Sequence, residues 1–303
     1  MDNPSEESGM NFSKENETSM VAALRTKAIN AMAVALAAAL LMIVLGACSK
    51  SAKSNEDGTL FGTVSTNGST SMERVVGCLA EAFMSENPDV TITYDATGSG
   101  TGIECASNGT CDIGLASRDL SDSETGLTAI PVALDGIAVI VSPGAGVDNL
   151  RLDDVRAIFT GEVTNWSEIG GADLPISCIG RESGSGTRDG FESVTGTDDA
   201  CVLDQELTST GAVITAVSSS SNAIGYVSLS AVETNESVQV VTIDGIACTE
   251  QTVIDGSYPI QRPFVLVIRE DAELSEAARA FVDFATSDSA ADLIRDAGAI
   301  PVV

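Results

Sequence analysis

The spacing of apolar residues along the chain alternates between two periods. A short β-type run at 60–64 gives way to polar residues at 65–71. Apolar positions then recur at helical spacing: Met72, Val75, Val76, Leu79, Ala80, Phe83 and Met84. That stripe predicts a helix with one buried face, ended by Asn87-Pro88. A strand at 90–94 follows, then a polar loop at 97–102. Short apolar runs at 113–116 and 137–141 predict strands buried on both faces. Leu152, Val155, Ile158 and Phe159 mark a second amphipathic helix, and a strand at 176–179 leads to a helix around Phe191. Further strands are expected at 224–227, 238–243 and 264–268, before a closing helix that carries Leu274, Ala277, Ala278, Phe281, Val282 and Ala285. Repeated strand–loop–helix units predict an α/β protein, its sheets wrapped by helices. The stretch 59–303 is long enough for two such lobes with a cleft between them.

Charge narrows the chemistry. The 303 residues hold 15 Lys+Arg against 44 Asp+Glu, a formal charge of −29. An acidic field of that size repels nucleic acids and anionic lipid headgroups. There is no histidine, which excludes Ser-His-Asp and Cys-His triads and imidazole metal sites. Lys14, Lys27, Lys50 and Lys53 all precede the folded region, and every later cation is arginine. P-loop, Schiff-base and Ser-Lys chemistries are thereby excluded from it, so a binding protein that uses no cofactor and no metal is the expectation.

The apolar run at 31–45, preceded by Arg25 and Lys27, is short for a membrane span and fits the h-region of a signal peptide. It ends in Leu45-Gly46-Ala47-Cys48, which resembles the lipobox of bacterial lipoproteins. By that likeness Cys48 is acylated and becomes the mature N-terminus, held on a membrane by its acyl chains. Residues 1–47 are thus an N-terminal extension and signal peptide, with translation from Met10 or Met20 also compatible, and polar residues 48–58 are a tether. A plain signal anchor is the competing reading. Beyond Cys48 lie Cys78, Cys105, Cys111, Cys178, Cys201 and Cys248. Export would place them in a disulfide-permissive compartment, and Cys105 and Cys111, flanking an Asn-Gly turn, are the candidate pair. The alternative is a set of buried thiols; zinc is disfavoured because no C-x-x-C occurs.

Three strand-to-helix loops share one composition: Asn67-Gly68-Ser69-Thr70-Ser71, Gly98-Ser99-Gly100-Thr101-Gly102 and Ser183-Gly184-Ser185-Gly186-Thr187. Glycine lets backbone approach a ligand, hydroxyls donate beside it, and the exposed N–H groups and dipole of a helix start favour an anion. One such loop is common for structural reasons; three together point to an anion cleft. Arg181 precedes the third loop, Arg188 follows it, and Arg118 ends a strand at Ala116-Ser117-Arg118. Guanidinium matches a tetrahedral oxyanion, although a surface ion pair is the ordinary fate of an arginine in so acidic a chain.

From Gly62 onward the chain resembles the PstS-type phosphate-binding proteins that serve high-affinity phosphate ABC transporters. The likeness rests on the three loops and on Asp112-Ile113-Gly114, Asp135-Gly136-Ile137-Ala138-Val139, Ile158-Phe159-Thr160-Gly161 with Thr164-Asn165-Trp166, Arg181 to Arg188, Ala223-Ile224-Gly225-Tyr226, and Tyr258-Pro259-Ile260 with Arg262-Pro263. It implies a two-lobed type II periplasmic-binding-protein fold that closes about a hinge of two strands, near 135–140 and 262–266. Lobe 1 is then 59–136 plus 263–303, and lobe 2 is 137–262. Carried over by position, the phosphate ligands are Ser69, Thr70, Ser71, Ser99, Ser117, Arg118, Arg181, Ser185, Gly186 and Thr187. Some relatives have carboxylates where this chain has Ser183 and Arg118, so the acceptor for the proton of hydrogen phosphate is open. Asp135 is the candidate, with Asp119 and Glu104 as alternatives. The implied protein is a monomeric, lipid-anchored receptor on the outer face of the cytoplasmic membrane. It binds inorganic phosphate and delivers it to ABC permease subunits, without enzymatic activity. Rival readings are a receptor for sulfate or molybdate, and a serine-dependent hydrolase whose general base could only be Asp or Glu.

Overall fold

The computed structural model describes residues 59–302 except 199, 233 and 234; the expected signal peptide, Cys48 and the expected tether lie outside the described residues. Eight strands form the main path of the sheet: β1 Gly62–Gly68, β2 Val90–Ala96, β3 Ile113–Ala116, β4 Leu127–Val141, β5 Ser177–Arg181, β6 Gln205–Leu207, β7 Ala223–Ser228 and β8 Gln261–Arg269. Their spatial order is β2-β1-β3-β8-β4-β7-β5-β6. The two outer groups are parallel, β1 with β2 and β3 and β5 with β6 and β7. The central pairings that involve β8 and β4 are antiparallel. The helices that bear on the site are α1 Glu73–Glu86, α2 Ser99–Asn108, α3 Leu152–Phe159, α4 Gly186–Thr195, α5 Thr210–Ser218 and α6 Glu276–Ala285.

Two large hydrophobic cores, beside a smaller cluster of Ile103, Ala106, Ala116, Leu127, Val265 and Val267, make this a two-lobed molecule. In the first, Val64, Ile113, Leu115 and Phe264 of the sheet pack against Val75, Leu79 and Phe83 of α1 and against Phe281 of α6. Phe83 and Phe281 meet edge to face at 5.5 Å. The second gathers 137–141, Phe159, Trp166, Ile179, Phe191, Tyr226 and Tyr258, with Phe191 stacked on Tyr226 at 4.1 Å. The helical stripe from Val75 to Phe83 is buried as its spacing predicts.

β4 joins the two lobes. Its residues up to Gly136 pair with β8, and from Ile137 onward they pair with β7. Only its second half was legible from hydrophobicity, because Pro131 and Asp135 interrupt the apolar run. In the structure Asp135 is buried opposite Arg262, and Pro131 faces Val265 beside a register shift between Phe264 and Val265 that absorbs the irregularity. The loop expected at 97–102 contains a helix start instead. Gly98, at φ 112°, turns the chain, and α2 begins at Ser99. Close packing requires a glycine at 102, since a Cβ there would come within 2.5 Å of the Asn67 carbonyl. The segment 238–243 divides into two short strands at 239–240 and 242–243.

Candidate anion site

Four helix starts converge where the lobes face each other. Ser69 caps a 3-10 turn (Thr70–Met72) that runs into α1, its hydroxyl accepting from Ser71 N; Tyr94 Oη donates to the Ser69 carbonyl at 2.7 Å and fixes this turn. Burial raises the Tyr94 hydroxyl above its ordinary value, so it stays a donor. Ser99 opens α2. Ser185 caps α4 by accepting from Arg188 N. The fourth start, Ser209 capping α5 with Thr210 as its first residue, was not among the loops expected. Its signal was the hydroxyl-rich Thr208-Ser209-Thr210-Gly211 before the apolar run Ala212-Val213-Ile214.

The hydroxyls of these starts form a buried, connected cluster. Ser71 Oγ lies 2.8 Å from Thr187 Oγ1 and 3.1 Å from Thr210 Oγ1, and Thr70 Oγ1 lies 3.2 Å from Thr210 Oγ1. Each of these contacts crosses from lobe 1 to lobe 2, as does the Gly100 N–H donating to the Gly184 carbonyl at 2.9 Å. In lobe 1, Ser69 Oγ donates to Ser117 Oγ at 2.8 Å, and Ser99 Oγ lies 3.1 Å from the same atom. Gly186 closes against this pair. A Cβ there would stand 2.5 Å from Ser99 Oγ and 2.7 Å from Ser117 Oγ, so a side chain would displace one of these hydroxyls.

Two buried guanidiniums stand at the ends of the cluster. Arg181 is 1% exposed. Its Nε donates to the Leu207 carbonyl at 3.0 Å, and Nη2 donates to Glu182 Oε1 at 2.8 Å and the Thr208 carbonyl at 3.2 Å. Nη1 reaches Thr210 Oγ1 at 3.3 Å. Arg262, 3% exposed, donates from Nε and Nη2 to Asp135 Oδ2 at 3.2 and 3.0 Å, and from Nη1 to Ser117 Oγ at 3.1 Å. Sequence reasoning named Arg262 only as a motif residue and gave it no role at the site. Nothing local marks it, because its partner lies 127 positions upstream.

The structure brings Ser69, Thr70, Ser71, Ser99, Ser117, Arg181, Gly186 and Thr187 together, with Ser185 capping the helix that presents the last two. Two expected ligands are placed otherwise. Arg118 makes no hydrogen bond to the cluster. Its Nη1 and Nη2 donate to Glu124 at 2.8 and 2.7 Å, and its Nε lies 2.8 Å from Asp189 Oδ2. Two carboxylates outcompete the cleft for that guanidinium. Asp135, fully buried, gives one oxygen to Arg262 and the other to Ser228 Oγ at 2.7 Å, which leaves it behind Arg262 rather than at the hydroxyls. Burial raises the Asp135 carboxyl and the adjacent guanidinium opposes that rise. The alternatives Asp119 and Glu104 are exposed. Cys105 and Cys111 are free thiols here, as are the other four cysteines of the described residues.

Each guanidinium therefore carries its own carboxylate, Glu182 or Asp135, and the formal charge of the pairs is zero. What remains at the centre is a buried group of hydroxyls and helix N-termini, rich in donors of the kind that suit an anion.

A two-lobed α/β molecule with a donor-lined closure between its lobes is a solute-binding protein by architecture, and a family model for the PBP superfamily domain matches residues 53–289. The phosphate-binding protein PstS of Bacillus subtilis (strain 168) is 33% identical over 291 residues, covering 90% of this chain and 94% of that protein. The PstS of Borreliella burgdorferi is 27% identical over 247 residues, 78% of this chain and 88% of its own length. A phosphate ABC transporter substrate-binding protein of Clostridium perfringens, solved with bound phosphate, superposes with a TM-score of 0.76 at 39% identity, covering 80% of this chain and all of that one. The chain belongs to the PstS family of phosphate-binding proteins within that superfamily.

Proposed function

We propose that this protein is the extracytoplasmic receptor of a phosphate ABC transporter, and that inorganic phosphate is held in the cluster between the lobes. The observation that carries the reading is the convergence of four helix starts and their hydroxyls, from both lobes, on one buried point beside Arg181. Ser69, Thr70, Ser71, Ser99, Ser117, Gly186, Thr187 and Thr210 supply donors to the anion, and Ser185 presents the start of α4. Arg181 supplies the charge-assisted contact, while Arg262 orients the Ser117 hydroxyl from behind. The division of the lobes at 136/137 and 262/263 is supported by the two cores and by the change of partner along β4. Opening the lobes separates Ser71 from Thr187 and Thr210, which exposes half of the donors to each side. Phosphate bridges them on closing, and the closed form is what permease subunits would receive. The protein acts as a carrier and catalyses no reaction.

The lipobox at Cys48 supports anchoring to the outer face of the cytoplasmic membrane, and the approach of Cys105 and Cys111 at the end of α2, where Cys111 N donates to the Cys105 carbonyl at 3.4 Å, supports a disulfide between them once exported. The protein is proposed to work as a monomer. Calorimetric titration with phosphate and sulfate tests the central reading. Phosphate should bind with micromolar affinity or better, about −8 kcal/mol, and Arg181→Ala should weaken it at least about tenfold, the worth of one charge-assisted hydrogen bond. A change smaller than threefold would leave Arg181 a structural cation. Equal affinity for sulfate would favour a general oxyanion receptor, a reading supported by the pairing of Glu182 and Asp135, the carboxylates beside the cluster among the described residues, with Arg181 and Arg262.

A further inference from the structure

We propose that Arg118 is a positioning residue for the closed state, an ionic latch that holds lobe 2 against lobe 1 once the ligand is bound; the proposal rests on the receptor reading above. Within lobe 1 the guanidinium is aimed in advance. Glu124 takes Nη1 and Nη2 as a bidentate pair, Ser121 N holds Glu124 Oε2 at 2.8 Å, and the Asp119 carbonyl accepts from Nη1 at 2.8 Å. Nε, which makes no hydrogen bond among the described residues, lies 2.8 Å from Asp189 Oδ2 of lobe 2, an ion pair between the lobes.

Asp189 lies one turn into α4, the helix whose first residues, Gly186 and Thr187, meet the cluster. Its neighbour Arg188 is committed elsewhere, to Glu192 at 2.7 Å, Glu206 at 3.1 Å and the Arg181 carbonyl at 3.0 Å. Among the described residues, Arg118 is therefore the ion-pair partner of Asp189. The pair borders a cavity of about 270 Å³ that Arg262, Pro263 and Gly190 also line, beside the β8 crossing. An opening that carries α4 with lobe 2 and parts Ser71 from Thr187 also shifts Asp189 relative to Arg118, by an amount set by its distance from the hinge.

The latch has a kinetic signature. When the lobes part, Arg118 keeps Glu124, and Asp189, already 39% exposed, rehydrates. Capture of ligand by the open form does not involve the pair; release from the closed form must break it. A half-exposed ion pair is screened by solvent, so the expected effect is about fivefold on the release rate. The test measures association and dissociation of radiolabelled inorganic phosphate for the full chain carrying Arg118→Gln, Asp189→Asn or both, together with melting temperatures of the unliganded forms. Each single variant should speed release about fivefold with association within twofold of the parent, and the double variant should be no faster than either single. Unliganded melting should be the same for the parent and Asp189→Asn, which separates a latch from a purely structural contact. Should Arg118→Gln fold poorly, Asp189→Asn alone decides the matter. Release at the parental rate from Asp189→Asn, or additive effects in the double variant, would overturn the latch. A parent protein that fails to retain phosphate would instead overturn the receptor reading beneath it.

Discussion

Asp135→Asn separates two jobs that one buried carboxylate can do at an anion site. Asp135 is fully buried; it accepts two N–H donors from Arg262 at 3.0 and 3.2 Å and the Ser228 hydroxyl at 2.7 Å. The amide keeps an acceptor for one of these partners but removes the charge, and its NH2 then faces a donor. Arg262, itself buried, is left as an uncompensated cation. Breaking one side of such a pair costs about 3–5 kcal/mol. For a chain of this size that corresponds to a melting temperature lower by about 6–20 °C. Calorimetric melting and urea unfolding of Asp135→Asn measure the loss, and Asp135→Asn with Arg262→Gln should recover part of it, because the orphaned charge is gone. Arg262 and Ser117 stand between Asp135 and the hydroxyls, so the ratio of phosphate to sulfate affinity in the folded single variant should equal that of the parent. A loss below about 1 kcal/mol accompanied by a fall in that ratio would refute the reasoning and make Asp135 the group that reads the phosphate proton.

Gly186→Ala should weaken phosphate binding at least about tenfold by calorimetry, since its Cβ would displace Ser99 or Ser117; Gly211→Ala, with open space around it, should bind as the parent does. Arg118 holds the Glu124 carboxyl below the usual glutamate range. The stability from that pair is therefore present above the unfolded-state value and is lost as pH falls through the lower folded-state value. Glu124→Gln should flatten this acid limb of an unfolding-versus-pH curve, and an unchanged limb would count against it. Intact-mass measurement of the membrane-extracted protein should show acylated chain starting at Cys48 and two hydrogens fewer for a Cys105–Cys111 disulfide; Cys48→Ser should abolish the acylated species.

Much of the fold was legible because its signals are local. The α1 stripe, the strand at 113–116 and three of the four helix starts follow from spacing, β-type runs and hydroxyl-rich caps. The fourth start was equally local, and the short strand β6 before it gave too brief an apolar signal to draw attention to it. The first half of β4 was hidden because a proline and an aspartate read as breakers until their partners on β8 are known. The arginines divide the same way. Arg181 declares itself by standing at a strand end before a glycine-rich turn. Arg118 stands in a similar setting, but Glu124 and Asp189 claim it, and nothing nearby in sequence announces that competition. Arg262 is the converse, a cation whose hydrogen-bond partners Asp135 and Ser117 lie far away in sequence and leave no mark beside it.

Because Arg181 and Arg262 are each matched by a carboxylate, the pairs add no net charge, and the proposed cleft would hold its ligand by the directed hydrogen bonds of Arg181 and by oriented dipoles rather than by free charge. Free cationic patches gather a mobile cloud of small ions that binding must disperse, and their grip slackens as salt rises. Peptide N–H groups and buried hydroxyls gather no such cloud. A receptor built this way draws its anion with nearly the same strength in dilute and in saline surroundings, and the chain's own large negative charge, spread over the outside and screened by salt, touches only the speed of approach.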